Sequence, residues 1–267
     1  MIYVITHKTF DDSILPQDGY RVLYVGAGED AKENYIRDNT GDNISEKNKS
    51  YCELTGMYWI WKNAEETPDD TVGIVHYRRF FTEKEEDREY MRTGVMPRPL
   101  DYEVCEYATD DRSVLVPEKL MSVFNVYGVY RNTHDRSDIF KLRSILMSKY
   151  PEYVDALDET MNSHYGYYYN MFACKKRYFD EYCEWLFDVM SELEKRIDVT
   201  DRVDDYQKRV IGFISERLLK VWFETQGFDF VEYPVFNTEV KTRSTVESAV
   251  YRVGCYRDYL KKKYDIK

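Results

Sequence analysis

The stretch Val72-Gly73-Ile74-Val75-His76-Tyr77-Arg78-Arg79-Phe80-Phe81 decides how the rest of the chain is read. Its first four residues read as a short buried strand. His76, Tyr77, Arg78 and Arg79 then fall at that strand's carboxyl end. In an open α/β sheet, ligands collect just beyond the carboxyl ends of the strands. Each guanidinium offers a planar fork of donors that matches phosphate oxygens, so two in a row suit an anionic ligand. Alternation along a strand puts His76 with Arg78 on one face and Tyr77 with Arg79 on the other. The plain alternative is a strand end with solvated arginines.

Working outward, similar signals recur on both sides. Ile2-Tyr3-Val4-Ile5-Thr6 reads as a first strand that delivers His7 and Lys8 at its end. Arg21 to Val25 reads as a second strand running into Gly26-Ala27-Gly28-Glu29-Asp30-Ala31. This satisfies G-x-G-x-x-A, the dinucleotide fingerprint, but Glu29 and Asp30 fall where a pyrophosphate would dock, so a tight turn is the better reading. The polar segment Asp38-Asn39-Thr40-Gly41-Asp42-Asn43-Ile44-Ser45 is rich in turn formers. Its acids and amides suit a ribose, a base edge or a metal, or simply bond their own backbone. Ser50-Tyr51-Cys52-Glu53 matches an S-x-x-E capping box opening a helix through Asn63, which makes Glu53 a cap rather than a catalytic acid.

Beyond the central strand, Glu83 to Asp111 reads as a charged excursion or lid. Strands are expected at Ser113–Val116 and Val126–Tyr130, the second ending in Arg131, Asn132, His134 and Asp135. A helix to Tyr150 follows, where a His134–Asp138 surface pair is expected at i, i+4 spacing. His164 to Ala173 reads as one internal strand with aromatic residues on both faces, and Phe179 to Ile197 as a helix. Asp204 and Asp205 sit in a charged loop before a last long helix, Gln207 to Gln226, stopped by Gly227. Glu216 and Arg217 lie inside its apolar run, where a charged pair is costly unless satisfied. The simpler reading there is an i, i+4 Glu216–Lys220 surface pair. Phe230 to Phe236 reads as an edge strand kinked at Pro234.

Composition bounds the function. The 267 residues are 43% hydrophobic and 33% charged, which is a globular balance. A formal net charge of −11 argues against a general nucleic-acid binder. The 26 tyrosines combine flat apolar faces with hydroxyls, a mix suited to polyhydroxy ligands as well as to packing. Five cysteines without C-x-x-C spacing fit reduced thiols, not a disulfide framework or a zinc site. No signal peptide is read at the N-terminus, and no apolar run approaches the ~20 residues that cross a bilayer. The expectation is a cytoplasmic protein. From Val240 onward eight cations face only Glu247, Asp258 and Asp265, so a basic helical tail (241–267) is expected after a domain of residues 1–240. Such a tail suits either solvent or an anionic membrane surface.

Strands alternating with helices indicate an α/β fold with a mainly parallel sheet and helices on its faces. Polar strand ends converging on one crevice would make a cationic, aromatic site suited to a nucleotide diphosphate joined to a sugar. Several of these segments together also carry a resemblance. Thr6-His7-Lys8, Asp38 to Ser45, Tyr51-Cys52-Glu53-Leu54-Thr55, Tyr58-Trp59, Trp61-Lys62-Asn63, His76-Tyr77-Arg78-Arg79, Asn170-Met171-Phe172 and Gly212 to Leu218 resemble the DUF4422 family. Those proteins occur among bacterial capsular and exopolysaccharide gene products and are regarded as GT-A-type, Rossmann-like glycosyltransferases. The resemblance runs from Ile2 to about Phe236.

It implies a nucleotide-sugar donor, a UDP-sugar above others and galactose in pyranose or furanose form as the sugar. The acceptor it implies is a growing capsular, exopolysaccharide or O-antigen glycan, lipid-linked at the inner membrane face. Donor and diphosphate contacts are then expected from His7, Lys8, Asp38, Asn39, Asp42, Asn43, His76, Arg78, Arg79 and Arg217. Acceptor contacts are expected from Tyr77, Arg131, His134, Asp135, His164, Tyr169 and Asn170. A divalent Mn or Mg ion is common in such enzymes, yet the chain has no D-x-D, and His76 to Arg79 stand in the comparable place. Arginine charge is therefore expected to do part of a metal's work. For an inverting enzyme the expected base is Glu216, raised by its apolar setting, ahead of Asp204 and Asp205. A retaining mechanism would need no such base, and both outcomes stay open at this point. A nucleotide-sugar hydrolase or phosphotransferase, which turns over donor without glycan, and a non-catalytic sugar-binding protein, which turns over none, are the alternatives.

Overall fold

The computed structural model describes residues 1–200 and 202–239, so the basic tail expected at 241–267 lies outside the described residues. The first half comprises β1 (Ile2–Thr6), β2 (Tyr20–Tyr24), β3 (Ile36–Arg37), α1 (Asn48–Tyr51), α2 (Leu54–Asn63), β4 (Thr71–His76) and β5 (Arg79–Phe81). The excursion follows with α3 (Lys84–Thr93) and α4 (Tyr102–Ala108), then β6 (Ser113–Pro117), β7 (Leu120–Met121), α5 (Val126–Thr133) and α6 (Ser137–Lys149). The remainder comprises α7 (Val154–Asn162), β8 (Tyr165–Gly166), β9 (Phe172–Lys175), α8 (Lys176–Glu194), α9 (Val210–Thr225), β10 (Asp229–Tyr233) and β11 (Val235–Asn237).

The main sheet has the order β10-β6-β9-β4-β1-β2-β3, with β5 and β11 hydrogen-bonded beside the end of β4. Every neighbour pair along that order is parallel except those made by β9, which runs against both β4 and β6. The architecture is therefore the expected one: a mixed, mostly parallel, Rossmann-like sheet flanked by helices in a single domain.

Period-two alternation sorts the strand residues into two cores. Tyr3, Ile5, Leu23, Val72, Ile74, Phe172 and Cys174 face a layer built from α2, α8 and α9. Ile2, Val4, Val22, Val75, Leu115 and Ala173 face the other side, covered by Leu100, Cys105 and Ala108 of the excursion. Glu83 to Asp111 is thus not a free lid but two helices that close one face of the sheet.

Two expected strands are otherwise built. Val126–Tyr130 is helix α5, because the Asn125 side chain accepts a hydrogen bond from Gly128 N at 2.8 Å and caps it. His164–Ala173 is not one strand: β8 and β9 are separated by a turn in which Tyr169 and Asn170 have φ of 81° and 51°. Pro234 interrupts the last strand, so the chain leaves β6 and pairs with β5 instead.

Gly73 lies at the centre of the sheet. A Cβ there would meet Ala173 Cβ and Ile2 Cδ1 at 2.7 Å and the Phe172 carbonyl at 3.0 Å. Gly73→Val should therefore lower stability by about 1–3 kcal/mol through overpacking, read as a lower urea midpoint. An unchanged midpoint would mean that β4 and β9 do not pack this closely.

Candidate functional site

The direction of the strands assembles the site. β1 and β4 are parallel, with Ile5 opposite His76, so His7 and Lys8 emerge beside the end of β4. There the chain does not continue as a flat strand. Tyr77 and Arg78 form a tight turn, and Arg79 returns to pair with His76. His76 and Arg79 are thus neighbours across a hairpin, not residues on opposite faces as alternation predicts. Tyr77 is buried, with His7 edge-on at 5.4 Å and the Lys8 ammonium 4.9 Å from its ring centroid.

The cations are crowded. Lys8 and Arg78 share one carboxylate, Glu239, at 3.0 and 2.9 Å. Burial first, then Lys8, Arg78 and Arg209, hold the His7 imidazole below its ordinary proton affinity. His76 is pushed down to about 3 by burial first and by Arg79 next, against a backbone hydrogen bond at Tyr169. It is a neutral imidazole near pH 7, and its Nε2 is buried without a hydrogen-bond partner.

Because β9 runs antiparallel to β4, the turn that enters it lies at this same edge. The Arg79 guanidinium stacks over the Tyr169 ring at 4.4 Å. Asn170, buried, donates from Nδ2 to Ser215 Oγ at 2.9 Å in α9 and to Glu53 Oε1 at 2.6 Å. Both lie at positive φ, as does Cys52 at 53°, and these three are the non-glycine residues in that region among those described. Left-handed backbone costs about 1–3 kcal/mol per residue and persists where surrounding structure holds it, which functional sites commonly do.

Two carboxylates face this cation cluster. Glu216 is held on both oxygens: Oε1 accepts from Tyr169 N at 3.2 Å and Oε2 from Arg217 Nη1 at 2.7 Å. The Glu216–Lys220 pair is not formed; Lys220 bonds Glu224 instead at 2.7 Å. Arg217 is buried between the Tyr130 and Tyr168 rings and serves Glu216, not an outward-facing ligand position. Glu53 makes no capping bond, because the chain turns sharply at Cys52 between α1 and α2. Burial first, and then the Glu216 charge, push its carboxyl up to about 7. Arg209 donates to Cys52 Sγ at 3.1 Å, yet burial keeps Cys52 a thiol, pushed up to about 12.

The other expected residues are more dispersed. Asp38 is buried and accepts from Gly26 N and Ser45 Oγ, at 3.1 and 2.6 Å. Asn43 bonds Gly41 O and Ser45 N, and Asp42 bonds Tyr58 and Asn63 of α2, so this segment is tied to its own backbone and to that helix; Asn39 is exposed. No helix follows Gly28, in keeping with a turn there. Arg131, His134 and Asp135 lie at the end of α5, not at a strand end. His134 bonds Gln207 at 3.0 Å, while Asp138 is buried against Arg202 at 2.7 Å, so these two do not pair. His134, Asp135 and Asp204 border a cleft of about 510 Å³. Asp204 accepts from Gln207 N, Asp205 is an exposed partner of Lys208, and His164 is exposed beside Ser122 O. A cleft of about 220 Å³ borders Arg79, Tyr169 and Asn237. Among the described residues no group of three or more His, Cys, Asp or Glu is arranged to hold a metal ion, and no helix is long and apolar enough to cross a membrane.

Fold and site together define a GT-A-like, Rossmann-like protein with its polar groups gathered at the carboxyl edge of the sheet. The chain belongs to the DUF4422 family: the model described as "Domain of unknown function (DUF4422)" matches residues 1–227. Among solved structures, one titled "WbbM bifunctional glycosytransferase apo structure" is similar with a TM-score of 0.74 and 30% identity. The similarity covers 90% of this chain but 45% of that one, so this chain spans less than half of its length. No curated protein matches.

The Glu53 shift has a stability consequence of definite sign. Its folded-state carboxyl keeps its proton to about pH 7 against an ordinary 4.5, so wild-type stability falls as pH rises between those values. His76 acts oppositely, its lowered folded value costing stability as pH falls below about 6.5. The difference between Glu53→Gln and wild type isolates the first effect. From pH 5 to 8 it should move in the variant's favour by about 1–3 kcal/mol in chemical denaturation. A pH-independent difference would contradict the raised proton affinity of the Glu53 carboxyl.

Proposed function

We propose that this protein is a glycosyltransferase that moves a hexosyl unit from a nucleotide-diphosphate donor to a glycan acceptor. The observation that carries this reading is the gathering of Lys8, Arg78, Arg79 and Arg209 around the exposed His7 and half-buried His76 imidazoles, where Lys8 and Arg78 already grip the oxygens of one carboxylate. An anion fits there, and a diphosphate would take the place of Glu239. The solved relative's title supports glycosyl transfer as the reaction.

In the reaction, the acceptor oxygen bonds to the anomeric carbon while the bond from that carbon to the diphosphate oxygen breaks. The departing diphosphate takes the electron pair, and fixed guanidiniums stabilise that charge without reorganising. Among the described residues no three or more His, Cys, Asp or Glu are grouped to hold a metal ion, and the cations of this edge are the groups at hand to meet the diphosphate charge. Arg79 is stacked on Tyr169, and its backbone is paired to the end of β4. UDP-galactose is the first donor to test, with a lipid-linked surface glycan as acceptor and the basic segment after Val240 as its contact with anionic lipid.

A panel of UDP- and GDP-sugars should contain one that raises the melting temperature, since a ligand held by the native state at 100 times its Kd adds about 2.7 kcal/mol. Turnover of that donor should survive EDTA and fall at least 100-fold in Arg78→Ala and Arg79→Ala. An absolute metal requirement, or full activity in both variants, would contradict the proposal.

A further inference from the structure

Of the two carboxylates at this edge, the one with fewer hydrogen bonds from other residues is Glu53, not Glu216. Glu216 has both oxygens committed, one to the Tyr169 backbone and one to Arg217. Glu53 accepts at Oε1 from Asn170 Nδ2 at 2.6 Å and its carboxyl also takes its own backbone N–H, but no other side chain is bonded to Oε2 among the described residues. Asn170 can make that bond because its own left-handed backbone turns its amide toward both α9 and Glu53. Cys52, also left-handed, sets Glu53 off the end of α1 and toward the same edge.

We infer that Glu53 is the base that takes the proton from the attacking acceptor hydroxyl, and that Glu216 is a positioning residue for the turn before β9. This rests on the glycosyltransferase reading and specifies direct displacement with inversion. The acceptor O–H proton passes to Glu53 Oε2 as the new bond to the anomeric carbon forms and the diphosphate leaves. The charged groups acting on Glu53 are Glu216, which favours its protonated form, and Arg209 and Arg79, which favour the ionised one. Net retention of a proton to about pH 7 places its base form within working range.

The test uses the full chain, with the donor from the UDP- and GDP-sugar panel that the wild type turns over. At pH 7 and above Glu53→Gln should melt no lower than wild type, keep the UDP affinity within threefold and lower kcat by 10²–10⁴-fold. Wild-type kcat should rise with pH through a limb near 7 that Glu53→Asp shifts. Glu53→Ala should regain turnover with azide, giving a glycosyl azide of inverted configuration. Glu216→Gln should lose UDP affinity or melting temperature along with kcat. Glu53→Gln with near wild-type kcat, or with UDP binding lost in parallel, would overturn the inference while leaving the donor reading intact. A wild type that binds neither UDP nor GDP and turns over no donor would overturn the donor reading itself.

Discussion

The structure depends on β4 pairing parallel with β1 on one side and antiparallel with β9 on the other. This pairing puts the end of one strand, the end of its neighbour and the beginning of a third at one edge. Segments near residues 7, 77 and 170 of the sequence therefore meet over a few ångströms. Gly73 permits the close approach, having no Cβ to collide with Ala173 or Ile2. The buried cores on the two faces then fix the register, since a one-residue slip would exchange them.

Concentrating cations at that edge is unfavourable by itself, and the chain offsets it locally. Glu239 lies between Lys8 and Arg78, Glu216 holds Arg217, and Arg79 stacks on an aromatic face. Overall the protein is acidic, so the basic edge is a local exception rather than a consequence of net charge. His76 extends the same logic inward: neutral, half-buried and paired across the hairpin with Arg79, it adds no charge to the cluster. Its unpartnered Nε2 marks a polar position that this arrangement leaves unsatisfied.

Much of the fold was legible because the apolar pattern and the structure obey the same periods. The strands at Ile2–Thr6, Thr71–His76 and Ser113–Pro117 and the helices at Lys176–Glu194 and Val210–Thr225 all lie within a turn of their expected places. Val126–Tyr130 misled because a short β-branched, aromatic run suits either state, and the Asn125 cap decided it. The aromatic run before Phe172 hid a turn, since two left-handed non-glycine residues leave no sequence signal of the kind glycine gives. Glu53 was obscured by the S-x-x-E spacing around it. The signal that could have found it was its place beside Cys52 in a segment too polar for the core it enters. Glu216 read as a buried acid, but only tertiary structure shows that its oxygens are already taken.

The central claim is that this edge grips a diphosphate, and isothermal titration of UDP against uridine, with GDP against guanosine beside it, tests that most directly. The account predicts that one diphosphate binds at least 100-fold more tightly than its nucleoside, and that Arg79→Ala removes most of that difference while the nucleoside affinity stays the same. Equal affinities for nucleoside and diphosphate in the wild type, or a difference untouched by the substitution, would contradict it.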